Sequence, residues 1–204
     1  MDKTQNKKNL LMIFTKNPVA GKVKTRLAKD LGNEKALKIY EFLLDHSAEI
    51  TKDLDVDKQV FYSESVIEQD VWGADFSKKK QRGKDLGERM YNAFREGFED
   101  GYEQIIIIGS DLYQLNSLDL EKAFDELDSN EFVVGPAEDG GYYLLGMKTL
   151  NSEIFKNKEW GTSSVLKDTL NDIQTKQIKM LETRNDVDVL DDIKDHPAFQ
   201  KFIA

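Results

Sequence analysis

Apolar residues fall along this chain in two rhythms: short unbroken runs, and longer segments in which they recur every three or four positions. Leu10 to Thr15, L-L-M-I-F-T, is the first run, and Asn17-Pro18 ends it. A run without polar alternation suits a strand buried on both faces, as in parallel sheets. From Asn33 the spacing becomes helical, with Ala36, Leu37, Tyr40, Leu43, Leu44, Ala48 and Ile50 on one face and Asn33 as the expected N-cap. Lys58 to Ser63 predicts a second strand. Residues 64–82 carry a weaker pattern, read as a short helix and a strand around Phe76. Leu86, Met90, Ala93, Phe94 and Phe98 mark a helix ending near Gly101. It feeds Gln104 to Asp111, Q-I-I-I-I-G-S-D, whose consecutive isoleucines predict the central strand.

The second half continues the alternation. Leu118 to Leu127 predicts a helix, Phe132 to Gly135 and Tyr142 to Met147 two strands, and Gly161 to Ile173 a helix. Gln177 to Leu181 predicts a strand and Asp188 to Ile193 the start of a last helix. Strands alternating with helical segments imply a three-layer α/β/α sandwich around a mostly parallel sheet. No Pro/Gly/Ser-rich linker interrupts the 204 residues, so residues 1–204 read as a single domain.

Composition narrows the chemistry. The absence of cysteine excludes disulfides, cysteine-ligated zinc and thiol catalysis. No apolar stretch reaches the roughly 20 residues of a membrane span, and the N-terminus is polar and lysine-rich, so the expected location is the cytoplasm. A formal charge of -9 argues against a nucleic-acid partner, but the charge is uneven. Residues 1–35 hold nine Lys/Arg and three Asp/Glu. Lys3, Lys7 and Lys8 read as a basic tail; Lys16, Lys22, Lys24 and Arg26 do not, and suit a small anionic ligand.

Three stretches could carry that ligand's chemistry. The loop after the first strand, T-K-N-P-V-A-G-K-V-K-T-R-L, lies where open α/β sheets bind ligands, and its Lys16, Gly21, Lys24 and Arg26 could cradle phosphates through side chains and backbone N–H groups. It is not a Walker A loop, because Val23 follows Gly21-Lys22, and it has too few glycines for a dinucleotide fingerprint. Gly109-Ser110-Asp111 puts a carboxylate at the exit of the isoleucine strand, where hard oxygens could bind Mg2+ or Mn2+. Glu138-Asp139-Gly140-Gly141 is a corner between two apolar runs. If the strand 132–135 lies beside the isoleucine strand, Asp139 and Asp111 converge on one ion or one reacting group. Asp186, Asp188, Asp191 and Asp192 read instead as the acidic first turn of a helix. His46 and His196 have no metal-ligand spacing.

Taken in order, K-N-P-V-A-G-K-V-K-T-R-L (16–27), G-K-D-L-G-E-R-M (83–90), G-S-D (109–111), G-P-A-E-D-G-G-Y-Y-L-L-G (135–146), W-G-T-S-S-V-L (160–166) and D-V-D-V-L-D-D-I (186–193) resemble a known family. It is that of small bacterial glycosyltransferases of the radical-SAM/selenodomain-associated type, with the nucleotide-diphospho-sugar transferase, or GT-A-like, fold. The resemblance implies a nucleotide-sugar donor and a divalent cation, Mg2+ or Mn2+. By position it implies phosphate contacts from Lys24 and Arg26, a metal-binding Asp111, and Asp139 as the second active-site acid, shared between the metal and catalysis. Glu138, adjacent, is the alternative general base, and Gly140 and Gly141 would admit the ligand. Lys-Thr-Arg-Leu is also similar to the Lys-Ser-Arg-Leu of phospholactate guanylyltransferases, which makes nucleotidyl transfer the alternative; a non-catalytic nucleotide-sugar-binding protein is a third reading. The chain departs from the pattern in carrying G-S-D where metal-dependent glycosyltransferases commonly have D-x-D.

Overall fold

The computed structural model describes residues 8–203, so Lys3 and Lys7 of the basic tail lie outside the described residues. Its strands are β1 (Asn9–Thr15), β2 (Asp57–Tyr62), β3 (Phe76–Lys80), β4 (Gln104–Gly109), β5 (Phe132–Pro136), β6 (Tyr142–Met147) and β7 (Ile178–Met180). They form one sheet in the order β3-β2-β1-β4-β6-β5-β7. Every pairing is parallel except those of β6, which runs antiparallel to both β4 and β5. The helices are α1 (Thr25–Leu31), α2 (Asn33–Thr51), α3 (Leu86–Glu99), α4 (Ser117–Ser129), α5 (Val165–Asp172) and α6 (Gln200–Ile203). Among the described residues, no helix is long and apolar enough to cross a membrane.

The apolar runs work as the sequence reading requires. β1 has a parallel neighbour on each edge, and its alternate residues feed opposite cores. Leu11 and Ile13 join Ile106, Ile108 and the inner faces of α2 and α4. Leu10 and Met12 join Ile105, Ile107 and the inner face of α3. A central strand covered on both faces is apolar from Leu10 to Phe14, and its first charged residue, Lys16, comes only where the chain leaves the sheet. A third, smaller core of Leu27, Ile39, Leu43, Val187, Ile193 and Phe199 fastens α1 and the C-terminal segment onto the outside of α2.

Five expectations need correction. Asn33 is the first residue of α2, and Gly32 is its N-cap. The weak region 64–82 holds β3 but no helix. The segment 161–164 is a turn, because Gly161 takes a left-handed φ of 84° and α5 starts only at Val165. Residues 188–193 close a single 3-10 turn, Leu190–Asp192, whose Asp192 carboxylate accepts hydrogen bonds from the N–H groups of Asp188 and Val189 at 2.8 and 2.7 Å. Finally, β5 does not lie beside β4: β6 separates them. Because β6 is antiparallel, Leu144 near its start pairs with Ile108 near the end of β4, and this still brings the β5–β6 corner to the carboxyl end of β4.

Candidate active site

A buried polar network ties together the chain exits of β1 and β4. The Tyr40 hydroxyl lies 3.0 Å from Thr15 Oγ1 and accepts from the Lys16 N–H at 2.9 Å, while Ser110 Oγ donates to Thr15 Oγ1 at 3.0 Å and Ser47 Oγ donates to the Ser110 carbonyl at 3.1 Å. Burial pushes the Tyr40 hydroxyl's pKa up, so it remains neutral and available for these bonds. The network fixes where the loop of Lys16 and the turn of Asp111 leave the sheet. Asn17 extends the brace by donating to the Ser65 carbonyl at 2.7 Å and accepting from the Glu64 N–H at 2.9 Å.

Lys24 is the centre of the loop. It sits in the left-handed region, φ 46° and ψ 45°, which costs a non-glycine residue on the order of 1–3 kcal/mol and persists only where surroundings over-determine it. Its side chain is 4% exposed and donates to Asp111 Oδ2 at 2.8 Å, with Asp188 Oδ1 3.7 Å away. Burial alone would lower the pKa of this ammonium, but the charge and hydrogen bond of Asp111 raise it overall. For Asp111, burial pulls upward and the Lys24 charge and hydrogen bond prevail, holding the carboxyl below its usual range. The pair is therefore a fixed zwitterion at the carboxyl edge of the sheet. Arg26, mostly solvent-exposed, donates to Asp188 Oδ2 at 2.8 Å.

Two cavities meet at Asp111. One, of about 250 Å³, is lined by Lys16, Lys22, Lys24, Arg26, Asp111 and Asp188. The other, of about 240 Å³, has Asp111, Asp139 and Asp186 among mostly apolar walls that include Met90, Tyr142 and Trp160. Asp139 accepts from the Gly141 N–H at 2.8 Å, which orients its carboxylate inside the corner. Gly141 lines the second cavity, whereas Glu138 is exposed and lies outside both sets of walls. Gly140 is needed for packing: it has a φ of 89°, and a Cβ there would come 2.3 Å from the Ser163 carbonyl. The Leu166 N–H donates to the Gly140 carbonyl at 2.9 Å, so the corner is buttressed by the first turn of α5.

The acidic run 186–192 divides between the site and the fold. Asp191 pairs with Lys194 and Asp192 closes its 3-10 turn, the helical-turn role expected of them. Asp186 and Asp188 instead face the two cavities, a placement the first-turn reading missed. Val187, between them, is buried and its N–H donates to the Asp111 carbonyl at 3.4 Å, so a strand-like alternation turns both carboxylates inward. Burial, and then the charge of Asp111, push the Asp186 carboxyl up to about 6, with Asp188 and Asp139 adding to the shift. The D-V-D alternation was the available signal. Trp160 was legible only as part of the W-G-T-S-S motif.

Asp111, Asp139 and Asp186 offer carboxylate oxygens around one cavity, where burial and the neighbouring carboxylates outweigh the Lys24 charge in raising the pKa of Asp186. Among the described residues no group of three or more such side chains is placed to hold a metal ion by itself, so a cation here would need further ligands from a bound phosphate. That agrees with the way Mg2+ is usually held beside nucleotides, by one or two carboxylates plus the phosphates themselves.

The comparisons agree with this architecture. A family model described as "Uncharacterized protein conserved in bacteria (DUF2064)" matches residues 46–162. A crystal structure from Desulfovibrio desulfuricans G20, provisionally named a nucleotide-diphospho-sugar transferase, is similar over 90% of this chain and 84% of its own, at 29% identity and a TM-score of 0.84. A 4-diphosphocytidyl-2C-methyl-D-erythritol synthase from Anaerococcus prevotii DSM 20548 shares the fold over 95% and 96% of the two chains, at 9% identity and a TM-score of 0.61. So does the Rv0371c protein of Mycobacterium tuberculosis H37Rv in complex with manganese, over 92% and 96%, at 13% identity and a TM-score of 0.53. A search of the curated proteins finds no match.

Proposed function

The chain belongs to the DUF2064 family of bacterial proteins, and from that premise we propose that it is a glycosyltransferase using a nucleoside-diphosphate sugar. The observation that carries the reading is the position of Asp111, the shared wall between a cationic cavity and a largely apolar one. A diphosphate laid along Lys16, Lys22, Lys24 and Arg26 would present its sugar at Asp111, with the acceptor arriving through the second cavity. The similarity to the Desulfovibrio protein, provisionally named a nucleotide-diphospho-sugar transferase, supports the donor class.

In the proposed reaction the acceptor oxygen bonds to the anomeric carbon and the carbon–oxygen bond to the diphosphate breaks. The electron pair leaves with the nucleoside diphosphate, and the acceptor proton passes to a carboxylate. Asp139 serves as that base, because it lines the acceptor cavity and its orientation is set by the Gly141 N–H. Lys24 and Arg26 hold the phosphates and stabilise charge gathering on the leaving group. Asp111 and Asp186 would hold Mg2+ or Mn2+, which supplies further neutralisation of the departing diphosphate when bound. The solved complex of the Rv0371c protein with manganese supports a divalent ion. The proposal takes residues 1–204 as one catalytic domain acting in the cytoplasm.

Nucleotidyl transfer is the second reading, favoured by the number of cations on the β1–α1 loop, which would suit a triphosphate. Incubation with nucleotide sugars and, separately, nucleoside triphosphates, with Mn2+, distinguishes them: the first reading expects nucleoside diphosphate, the second pyrophosphate. Ligand binding with release of neither product would leave a nucleotide-sugar-binding protein and overturn both.

A further inference from the structure

The cavity beyond Asp111 is walled largely by carbon. Phe14, Met90, Ile107, Trp160 and Val165 present hydrocarbon and aromatic surface, and Leu86 at its border is 43% exposed despite being apolar. The Tyr142 hydroxyl does not soften this surface, since its hydrogen-bond partner at the wall is the Met90 sulfur at 3.8 Å and burial pushes its pKa up. The carboxylates gather instead where the cavity adjoins the cationic loop: Asp111 belongs to both cavities, and Asp186 is close enough to feel the charges of Asp111 and Asp139. An open-chain polyol such as glycerol has little carbon to set against this surface, whereas a ligand with one apolar body and one polar end would match both regions.

The wall is built into the fold. A Cβ on Gly87 would come 2.6 Å from the Trp160 ring and 2.5 Å from the Phe155 carbonyl, so the first turn of α3 needs glycine for the indole to lie against it. Gly140 likewise admits the 160–164 segment that carries Trp160, and Val165 packs from the start of α5. Three separate elements converge to fix one flat aromatic surface. At about 240 Å³ the space exceeds the roughly 150 Å³ apolar cavity that holds a benzene molecule, so it accepts a substituted single ring.

We infer that the acceptor of this site is a small alcohol with a ring-sized apolar body, which lies against Trp160 and Met90 and points its hydroxyl toward Asp111, Asp139 and Asp186. The inference rests on the acceptor role given to this cavity above. It assigns Trp160, Met90 and Leu86 to acceptor selection and leaves donor recognition to the cationic loop.

The test uses the full chain with benzyl alcohol as the aromatic probe and glycerol as the polyol, each titrated by calorimetry with and without nucleoside diphosphate and Mn2+. Saturable binding of benzyl alcohol, at least tenfold tighter than glycerol, is expected. Trp160→Ala should weaken it at least tenfold. Leu86→Gln, at an exposed position that folding does not depend on, should weaken it about threefold while thermal stability stays unchanged. Glycerol binding as tightly as benzyl alcohol, or aromatic binding that neither substitution reduces, overturns the inference. Nucleoside diphosphate binding in the same samples is a separate readout: if it is absent while benzyl alcohol binds and depends on Trp160, the donor assignment fails and the apolar cavity assignment stands.

Discussion

Replacing Asp186 with Asn should make the ligand-free protein more stable, and only above a definite pH. Burial and the charges of Asp111, Asp188 and Asp139 outweigh the opposing charge of Lys24 and raise the folded-state pKa of Asp186 from 3.8 to about 6. A carboxyl raised in this way binds its proton more tightly in the folded state, so stability falls as pH rises from about 4 to about 6 and the penalty is full above that. With each pKa unit worth about 1.36 kcal/mol the ceiling is about 3 kcal/mol, and solvent screening of this partly exposed carboxyl brings the expected penalty to about 1–2 kcal/mol. Asn keeps the shape and removes the charge, and a penalty of this size corresponds to a Tm rise of about 2–8 °C in a domain of this length. Circular dichroism melts from pH 4 to pH 8 in a chelating buffer measure the difference; Asp191→Asn, whose side chain is 81% exposed, serves as a control with no change expected. The two curves should coincide near pH 4, separate through pH 6 and run parallel above it. An Asn variant no more stable than the parent at pH 8, or shifted equally at every pH, would refute the reasoning. Adding Mn2+ and nucleoside diphosphate should stabilise the parent more than the variant, since only the parent keeps the charge.

Lys24→Met should destabilise the protein by about 2–3 kcal/mol, less than a fully buried pair because Asp111 is 40% exposed, and should weaken nucleotide binding at least tenfold by calorimetry. Asp139→Asn should lower turnover at least a hundredfold with nucleotide affinity within about twofold, the signature of a lost base rather than a lost binding group. Gly140→Val combines a φ of 89° with a 2.3 Å approach to the Ser163 carbonyl, so a loss of about 3 kcal/mol or more in denaturant titration is expected, with activity falling as the corner shifts.

What the sequence disclosed, and what it hid, follows from the range over which each signal acts. The isoleucine run 105–108 and the run 10–14 reveal their strands because burial on both faces constrains every residue in turn, so the pattern is complete within a few positions. α1 was invisible for the opposite reason: of its seven residues only Leu27 is buried, and its start is capped by no side chain. The site divides in the same way. Lys24 and Asp111 stood out as candidates because each belongs to the loop that leaves a strong strand, at the sheet edge where open α/β folds gather ligands. Asp186 was read as part of a helical turn because its neighbours Asp191 and Asp192 are engaged in just such a turn, and local charge cannot separate the two uses. The separation is made by Val187, whose burial in the outer core with Leu27 and Phe199 turns the residues on either side toward Asp111. That contact joins residues more than a hundred and fifty positions apart, and it makes the C-terminal segment a wall of the site as well as a cover for α2.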